Sequence, residues 1–134
     1  MNKKVSSRGI IIDNGYIYTM FRRKKQSDGS IKEYFVIPGG KVENNETLEE
    51  TLIREMKEEL SVDIDIISYI GKNEDNDSIA YFYKCNIISG TPALGGEEKE
   101  RCNEDNYYEI RKVKISDIEK INIFPKDLIL NSLK

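Results

Sequence analysis

Short apolar runs alternate with polar turn clusters along this chain and predict a series of β-strands. The first two runs, residues 5–12 and 16–21, are separated by Asp13, Asn14 and Gly15, which favour a tight turn, so they predict a β-hairpin. Further runs rich in β-branched and aromatic residues predict strands at residues 31–37, 62–70, 79–88 and 107–114. Polar loops are predicted at residues 72–78 and 89–106.

In residues 46–60 the apolar side chains recur every three or four positions, which is the spacing of an α-helix, so this segment predicts an amphipathic helix. At about 100° per residue, four apolar side chains cluster in one arc that should face the core. These are Leu52, Ile53, Met56 and Leu60. Thr47 with Glu50 three residues later matches a capping box for the start of this helix, and Asn45 is an alternative cap.

Two shorter helices are predicted near the C-terminus. Ser116 is expected to cap a helix that continues to residue 120, and Pro125 to open a helix that continues to residue 133. Strands that precede and follow a central helix predict the α/β class, and a chain of 134 residues is expected to form one domain, residues 1–134.

Composition narrows the range of functions. The net charge of −3 gives no overall basic field, so a stable nucleic-acid partner is not expected. No apolar run is long enough to span a bilayer and the N-terminus lacks a signal-peptide pattern, so a cytoplasmic protein without membrane contact is expected. The chain has no histidine, which excludes Ser-His-Asp triads and histidine-ligated zinc sites. Its two cysteines are interpreted as reduced structural thiols.

The acidic side of the central helix is the first candidate for chemistry. Glu55, Glu58 and Glu59 fall within an arc of about 100°, so three carboxylates share one patch. Such a patch can be a solvated face, which is its commonest interpretation. Because Mg²⁺ and Mn²⁺ take oxygen ligands, the patch can also be a metal site. The glycine turn before the helix, Gly39 and Gly40, favours the second interpretation.

The segment from the glycine turn to the end of the helix resembles the Nudix box, G-x5-E-x7-R-E-U-x-E-E-x-G-U, where U is an aliphatic residue. The matching positions are Gly40, Glu46, Arg54, Glu55, Met56, Glu58, Glu59 and Val62. The chain departs from the box at Ser61, where the family has glycine. A serine in a left-handed position past a helix end costs about 1 kcal/mol, or it shifts the cap by one residue, so this departure should lower stability more than activity.

The resemblance implies a Nudix fold, a mixed β-sheet sandwiched between α-helices. It also implies Mg²⁺-dependent, or Mn²⁺-dependent, hydrolysis of a nucleoside diphosphate derivative by water attack on the pyrophosphate. On this basis Arg54, Glu55, Glu58 and Glu59 are the expected catalytic residues. The expected metal ligands are Glu55, Glu58 and Glu59, with the backbone carbonyl of Gly39 or of Gly40. Arg54 is expected to orient carboxylates.

Residues outside the box should hold the rest of the substrate. The candidate substrate contacts are Arg22, Arg23, Gly39 and Gly40. The candidate stacking partners are Tyr107, Tyr108 and Phe35, which can equally be packing residues. Since the general base in this family often lies on a distant loop, Glu97, Glu98 and Glu100 are candidates for that role, although they can be a solvated acidic loop.

A (deoxy)nucleoside triphosphate, including an oxidised one, is the first expected substrate, and ADP-ribose or another nucleotide sugar is the alternative. Two further alternatives are a nucleotide-binding regulatory module without activity and an RNA-end processing enzyme, which would need a basic groove. The expected partner is a small nucleotide, and the protein is expected to be a monomer or a homodimer.

Overall fold

The computed structural model describes residues 3–95 and 102–133, which form eight strands, two α-helices and one 3-10 helix. The strands are β1 Lys4–Asp13, β2 Tyr16–Lys25, β3 Ile31–Val36, β4 Gly39–Lys41, β5 Asp63–Glu74, β6 Ser78–Ser89, β7 Asn106–Lys114 and β8 Ile123–Phe124. The helices are α1 Leu48–Leu60, the 3-10 helix Ile115–Lys120 and α2 Lys126–Ser132.

The strands form two half-sheets that the first hairpin joins. One half has the order β4-β1-β6-β5, in which β1 runs parallel to β6 and the other pairs are antiparallel. The other half has the order β7-β2-β3-β8, in which β3 runs parallel to β8. Strands β1 and β2 pair only beside their turn, through Ile12 with Ile17 and Asp13 with Tyr16. Beyond these pairs each strand takes a different partner, so the half-sheets diverge.

Each face of the sheet carries its own hydrophobic core, because successive side chains of a strand point to opposite faces. Ile11 packs in the core under α1, whose buried members are Ile11, Tyr18, Met20, Leu52, Met56, Leu60, Val62, Ile64, Tyr83 and Cys85. Ile10 packs in the core under the 3-10 helix and α2, whose buried members are Ile10, Ile17, Ile37, Phe82, Ile118, Ile123 and Ile129. The α/β class and the mixed sheet between helices are therefore confirmed.

The start of α1 confirms the predicted capping box. The Thr47 hydroxyl accepts a hydrogen bond from the Glu50 backbone N–H at 3.1 Å, and the Glu50 carboxylate accepts one from the Thr47 N–H at 2.9 Å. The helix begins at Leu48, two residues later than the apolar period indicated, because Thr47 is the cap. Asn45 is not the cap but occupies a left-handed turn position, with φ 67°.

The end of α1 is closed by Ser61 and by the chain that follows β6. Ser61 adopts the left-handed conformation with φ 62°, where the family has glycine, and its hydroxyl donates to the Ala93 carbonyl at 3.2 Å. The backbone N–H groups of Ala93 and Gly95 donate to the carbonyls of Leu60 and Glu59, at 2.9 and 3.0 Å. Two carbonyls that a helix end leaves without partners are thus satisfied.

Three local predictions are wrong. Ile53, predicted to face the core, is 47% exposed, whereas Thr51 is buried and its hydroxyl donates to Glu46. Strand β5 continues through Gly71 to Glu74, across the start of the predicted loop 72–78, because irregular pairing with β6 accommodates the glycine. The 3-10 helix has no side-chain cap, so Ser116 does not cap it.

Among the helices of the described residues, none has the length and apolar character required to cross a membrane.

Candidate functional site

The three box carboxylates on α1 lie together at the mouth of the cleft between the half-sheets. One oxygen from each of Glu55, Glu58 and Glu59 lies within 4.8 Å of the other two. Spacings of three and four residues return to the same helix face, and this face borders the one that carries Leu52 and Met56, which anchor the helix in the core. The helix therefore holds three carboxylate oxygens together on a rigid element.

The burial of the three carboxylates differs in a way that suits a cation. Glu59 is buried, and its Oε2 accepts no hydrogen bond among the described residues. The Glu55 side chain is 12% exposed, whereas that of Glu58 is 51% exposed. A buried carboxylate oxygen without a partner is costly, and an oxygen-seeking divalent cation would satisfy it. The donor set of these residues therefore fits Mg²⁺ or Mn²⁺.

Arg54 links the carboxylates to the loop that precedes the helix. Its Nε and Nη2 donate to the two oxygens of Glu46, at 2.7 and 3.0 Å. Its Nη1 donates to Glu55 at 3.0 Å and to Glu58 at 3.1 Å. Such a planar, bidentate arrangement fixes direction as well as charge. Arg54 thus donates hydrogen bonds to two of the clustered carboxylates, and its role in orienting them stays a prediction.

Glu46 anchors this arginine. Besides Arg54 it accepts hydrogen bonds from the backbone N–H of Glu43 at 3.0 Å and from the Thr51 hydroxyl at 2.9 Å. The hydrogen bonds from Arg54, then that from the Glu43 backbone, lower the pKa of Glu46 from 4.5 to about 2. Pairing with Glu46 in turn raises the pKa of Arg54. Both groups are charged at neutral pH.

The two glycines of the turn make room for this arrangement. A Cβ on Gly40 would lie 2.2 Å from Cδ of Glu55, so only glycine admits the carboxylate beside this strand. Gly39 has φ 152°, and a Cβ there would lie 2.2 Å from the Ser7 carbonyl oxygen. Both glycines pair with β1, at Arg8 and Ser7. The absence of side chains here is a requirement of the site.

The cleft beside the carboxylates has a volume of 530 Å³ and contains most of the predicted site residues. Gly39, Gly40, Arg54 and the three clustered glutamates line it, together with Arg22 and Tyr108. Arg8 and Lys41 also line it, and neither was predicted from the sequence. A single arginine or lysine within a strand pattern carries no distinguishing signal. Only the pairing of β1 with β4, which sets Arg8 opposite Gly39 and Lys41 opposite Ser6, brings both residues to the cleft.

Arg22 is held within the cleft by two tyrosines. Its Nη2 donates to the Tyr108 hydroxyl at 2.8 Å and to the Asn106 amide oxygen at 3.2 Å. Its guanidinium lies 4.4 Å from the ring centre of Tyr108 and 5.7 Å from that of Tyr34. The Nε of Arg22 is buried and has no hydrogen-bond partner among the described residues. Arg22 thus has an unused donor in a fixed plane.

Other predicted substrate contacts lie elsewhere. Arg23, the next residue of β2, does not line the cleft, and its guanidinium lies 4.8 Å from the ring centre of Tyr107. Phe35 packs against Phe21 with ring centres 5.1 Å apart, outside the cleft. Strand alternation separates these residues from Arg22 and Tyr108. The candidate bases Glu97, Glu98 and Glu100 lie outside the described residues.

Comparisons with known proteins identify similar sequences and a similar fold. Residues 3–129 match the family described as the NUDIX domain. The ADP-ribose pyrophosphatase of Methanocaldococcus jannaschii is 33% identical over 75 residues, which cover 56% of this chain and 44% of that protein. The nudix hydrolase 1 of Caenorhabditis elegans is 26% identical over 96 residues, which cover 71% of this chain and 26% of that protein.

Among solved structures, the MutT NUDIX hydrolase from Burkholderia pseudomallei has the same fold, with a TM-score of 0.74, 19% identity and complete coverage of both chains. The matched region spans less than half the length of each of the two curated relatives, 44% and 26%.

Proposed function

This chain belongs to the Nudix family, and from that membership we propose that it is a divalent-metal-dependent hydrolase of phosphoric anhydrides. Its substrate is a nucleoside diphosphate linked to a further group, and the bond cleaved lies within the pyrophosphate. The observation that carries this proposal is the cluster of Glu55, Glu58 and Glu59, whose oxygens lie within 4.8 Å of one another beside a cleft.

The residues of the site have different roles, which are cation binding and the positioning of the carboxylates. Glu55 and Glu59, the more buried pair, would hold the cation, and the Gly39 carbonyl would be a further ligand. When bound, divalent ions neutralise charge on the phosphates and lower the pKa of a water molecule. Arg54 keeps the carboxylates of Glu55 and Glu58 in place through the Glu46 anchor.

The reaction needs one proton acceptor. The oxygen of a water attacks phosphorus, the bond to the bridging oxygen breaks, and that oxygen leaves with the electron pair. The proton of the water passes to a carboxylate of the cluster or to Glu97 or Glu98. Arg22, between Tyr34 and Tyr108, contacts the nucleoside end of the substrate.

Two substrate classes are supported. A (deoxy)nucleoside triphosphate, cleaved to the monophosphate and pyrophosphate, is the expectation from the sequence. ADP-ribose, cleaved to AMP and ribose 5-phosphate, is favoured by the likeness to the ADP-ribose pyrophosphatase of Methanocaldococcus jannaschii. Both reactions place the same pyrophosphate at the cluster and differ only in the group beyond it.

Turnover of dATP and of ADP-ribose by the wild-type protein, with Mg²⁺ and with Mn²⁺, tests the proposal. We expect Glu58→Gln and Glu59→Gln to lower kcat by at least about 10²-fold, because a neutral amide is a poor ligand for a hard cation. Glu109→Gln is the matched control, since Glu109 lies on β7 and does not line the cleft.

Three outcomes contradict this proposal. Unchanged turnover in both cluster variants, each shown to be folded at the assay temperature, overturns the site. Equal loss of turnover in Glu109→Gln shows that the effect is not specific to the cluster. Calorimetric binding of either nucleotide with no product after long incubation with Mn²⁺ makes the protein a binding module.

A further inference from the structure

A second cleft of 360 Å³ adjoins the first on the far side of the glycine turn. Arg8, Val36, Ile37 and Lys41 line both clefts, so the two share one wall. The second cleft lies against β1, the start of β6 and the end of β8. None of the box carboxylates lines it, so it is distinct from the metal cluster.

The second cleft combines an apolar floor with a cationic rim. Its floor includes Phe82, which is buried, and its rim carries Lys4, Arg8 and Lys41. Within residues 3–95 and 102–133, neither lysine forms an ion pair with an acidic side chain. The one acidic residue of the lining, Asp75, accepts hydrogen bonds from the backbone N–H groups of its own turn, both at 2.8 Å. The rim therefore favours an anion.

An exposed aromatic ring stands beside this cleft. Phe124 is 61% exposed, whereas its neighbour Ile123 is 3% exposed. An aromatic ring exposed to water lacks the stabilising free energy that burial of its apolar surface would contribute. A flat organic group that enters the second cleft would cover the ring and the apolar floor together.

We infer that the second cleft binds the organic group on the far side of the pyrophosphate from the nucleoside. The preferred substrates then carry an organic group at each end, as nucleotide sugars and dinucleoside polyphosphates do. Beyond the cleaved bond a free nucleoside triphosphate carries only phosphate, which would match the cationic rim but leave the floor and Phe124 uncovered. This inference rests on the proposed function and identifies its substrate class.

Steady-state kinetics of Phe124→Ala with ADP-ribose and with dATP test the inference. We expect KM for ADP-ribose to rise about five- to tenfold, because the ring contact is lost, and KM for dATP to change less than about twofold, because dATP has no group in this cleft. Phe124→Tyr retains the ring and should keep KM for ADP-ribose near the wild-type value. Ile31→Ala is the matched control, since Ile31 is 64% exposed and lines neither cleft.

An equal change of KM for both substrates in Phe124→Ala, or no change for either, overturns the inference and leaves the proposed function intact. Turnover of neither substrate by the wild type overturns the proposed function instead. In that case calorimetric titration with ADP-ribose decides the second cleft: weaker binding by Phe124→Ala than by Ile31→Ala supports it, and equal binding overturns it.

Discussion

Gly40 matters through the side chain it lacks. The strand that contains it, β4, passes so close to α1 that the Glu55 carboxylate occupies the space of its Cβ. In this chain Gly40 and Glu55, fifteen residues apart, are thus sterically coupled, which the sequence alone does not reveal. The same closeness makes the position of Glu55 sensitive to a single added methyl group.

We expect Gly40→Ala to lower kcat on the order of 10²-fold, because displacement of a catalytic group by about 1 Å can cost that much. Gly40 does not have a positive φ, so alanine there adds no backbone strain and the effect is steric. Gly71→Ala is the matched strand control, since its Cβ would meet only the flexible Leu128 side chain, at 3.3 Å. Steady-state kinetics with the substrate that the wild type prefers check this. Full activity of Gly40→Ala would contradict it.

Arg22 and Arg23 form a natural pair of test and control. They are adjacent on β2, and each stacks on a tyrosine, but only Arg22 lines the cleft. We expect Arg22→Ala to raise KM about tenfold, because a charged hydrogen bond to substrate is lost, with kcat changed less than about threefold if the metal cluster is undisturbed. Arg23→Ala should leave both constants unchanged. Similar effects of the two variants on KM would contradict the assignment.

The residue scale also shows what the sequence could not supply. The fixed spacing of the Nudix box is sufficient to predict from the sequence that Glu55, Glu58 and Glu59 cluster. Strand alternation is sufficient to place Arg22 and Arg23 on opposite faces, but not to say which face has the cleft. That depends on the divergence of β1 and β2, which follows from pairings between residues distant in sequence.

At the scale of elements, helix α1 was predictable from the sequence, whereas the two shortest strands were not. A thirteen-residue amphipathic helix with a capping box carries a strong local signal. Strands β4 and β8 are three and two residues long, and they exist only because β1 and β3 offer them edges. The polar residues after Gly71 predicted a loop, yet pairing with β6 extends β5 through them.

The loop before α1 and the helix itself are coupled through Glu46 and Arg54, and this coupling should depend on pH. Because the pKa of Glu46 is lowered from 4.5 to about 2, its ionised form stabilises the fold above pH 4.5, and this contribution is lost as the pH falls towards 2. We therefore expect Glu46→Gln to lower the melting temperature at pH 7, by a margin that shrinks between pH 4.5 and pH 2.

Thermal unfolding from pH 7 to pH 2 measures this difference in melting temperature between the wild type and Glu46→Gln. Glu43→Gln is the control, since the Glu43 carboxylate lies 3.6 Å from Arg54 but is 69% exposed. Exposed pairs contribute little, so its melting temperature should stay near that of the wild type at every pH. A margin for Glu46→Gln that is constant from pH 7 to pH 2 would contradict the coupling.

At the scale of the whole molecule, the fold holds together a carboxylate cluster that lowers its stability when no cation is bound. The core under α1 holds this helix rigidly, and this rigidity keeps three carboxylates together although like charges repel. The buried Oε2 of Glu59 has no partner among the described residues, so the arrangement is costly without a cation. Binding of a cation should therefore stabilise the entire fold.

We expect Mg²⁺ or Mn²⁺ at about 100 times Kd to raise the melting temperature of the wild type by roughly 5–15 °C, since such binding contributes about 2.7 kcal/mol. Glu59→Gln should melt at a higher temperature than the wild type without metal, because a buried charge is removed, and should gain little from metal. Glu109→Gln should respond as the wild type does. Potassium chloride at matched ionic strength separates screening from binding. An equal metal-induced rise in Glu59→Gln and the wild type would place the cation elsewhere, since the amide removes the buried ligand while α1 keeps its position.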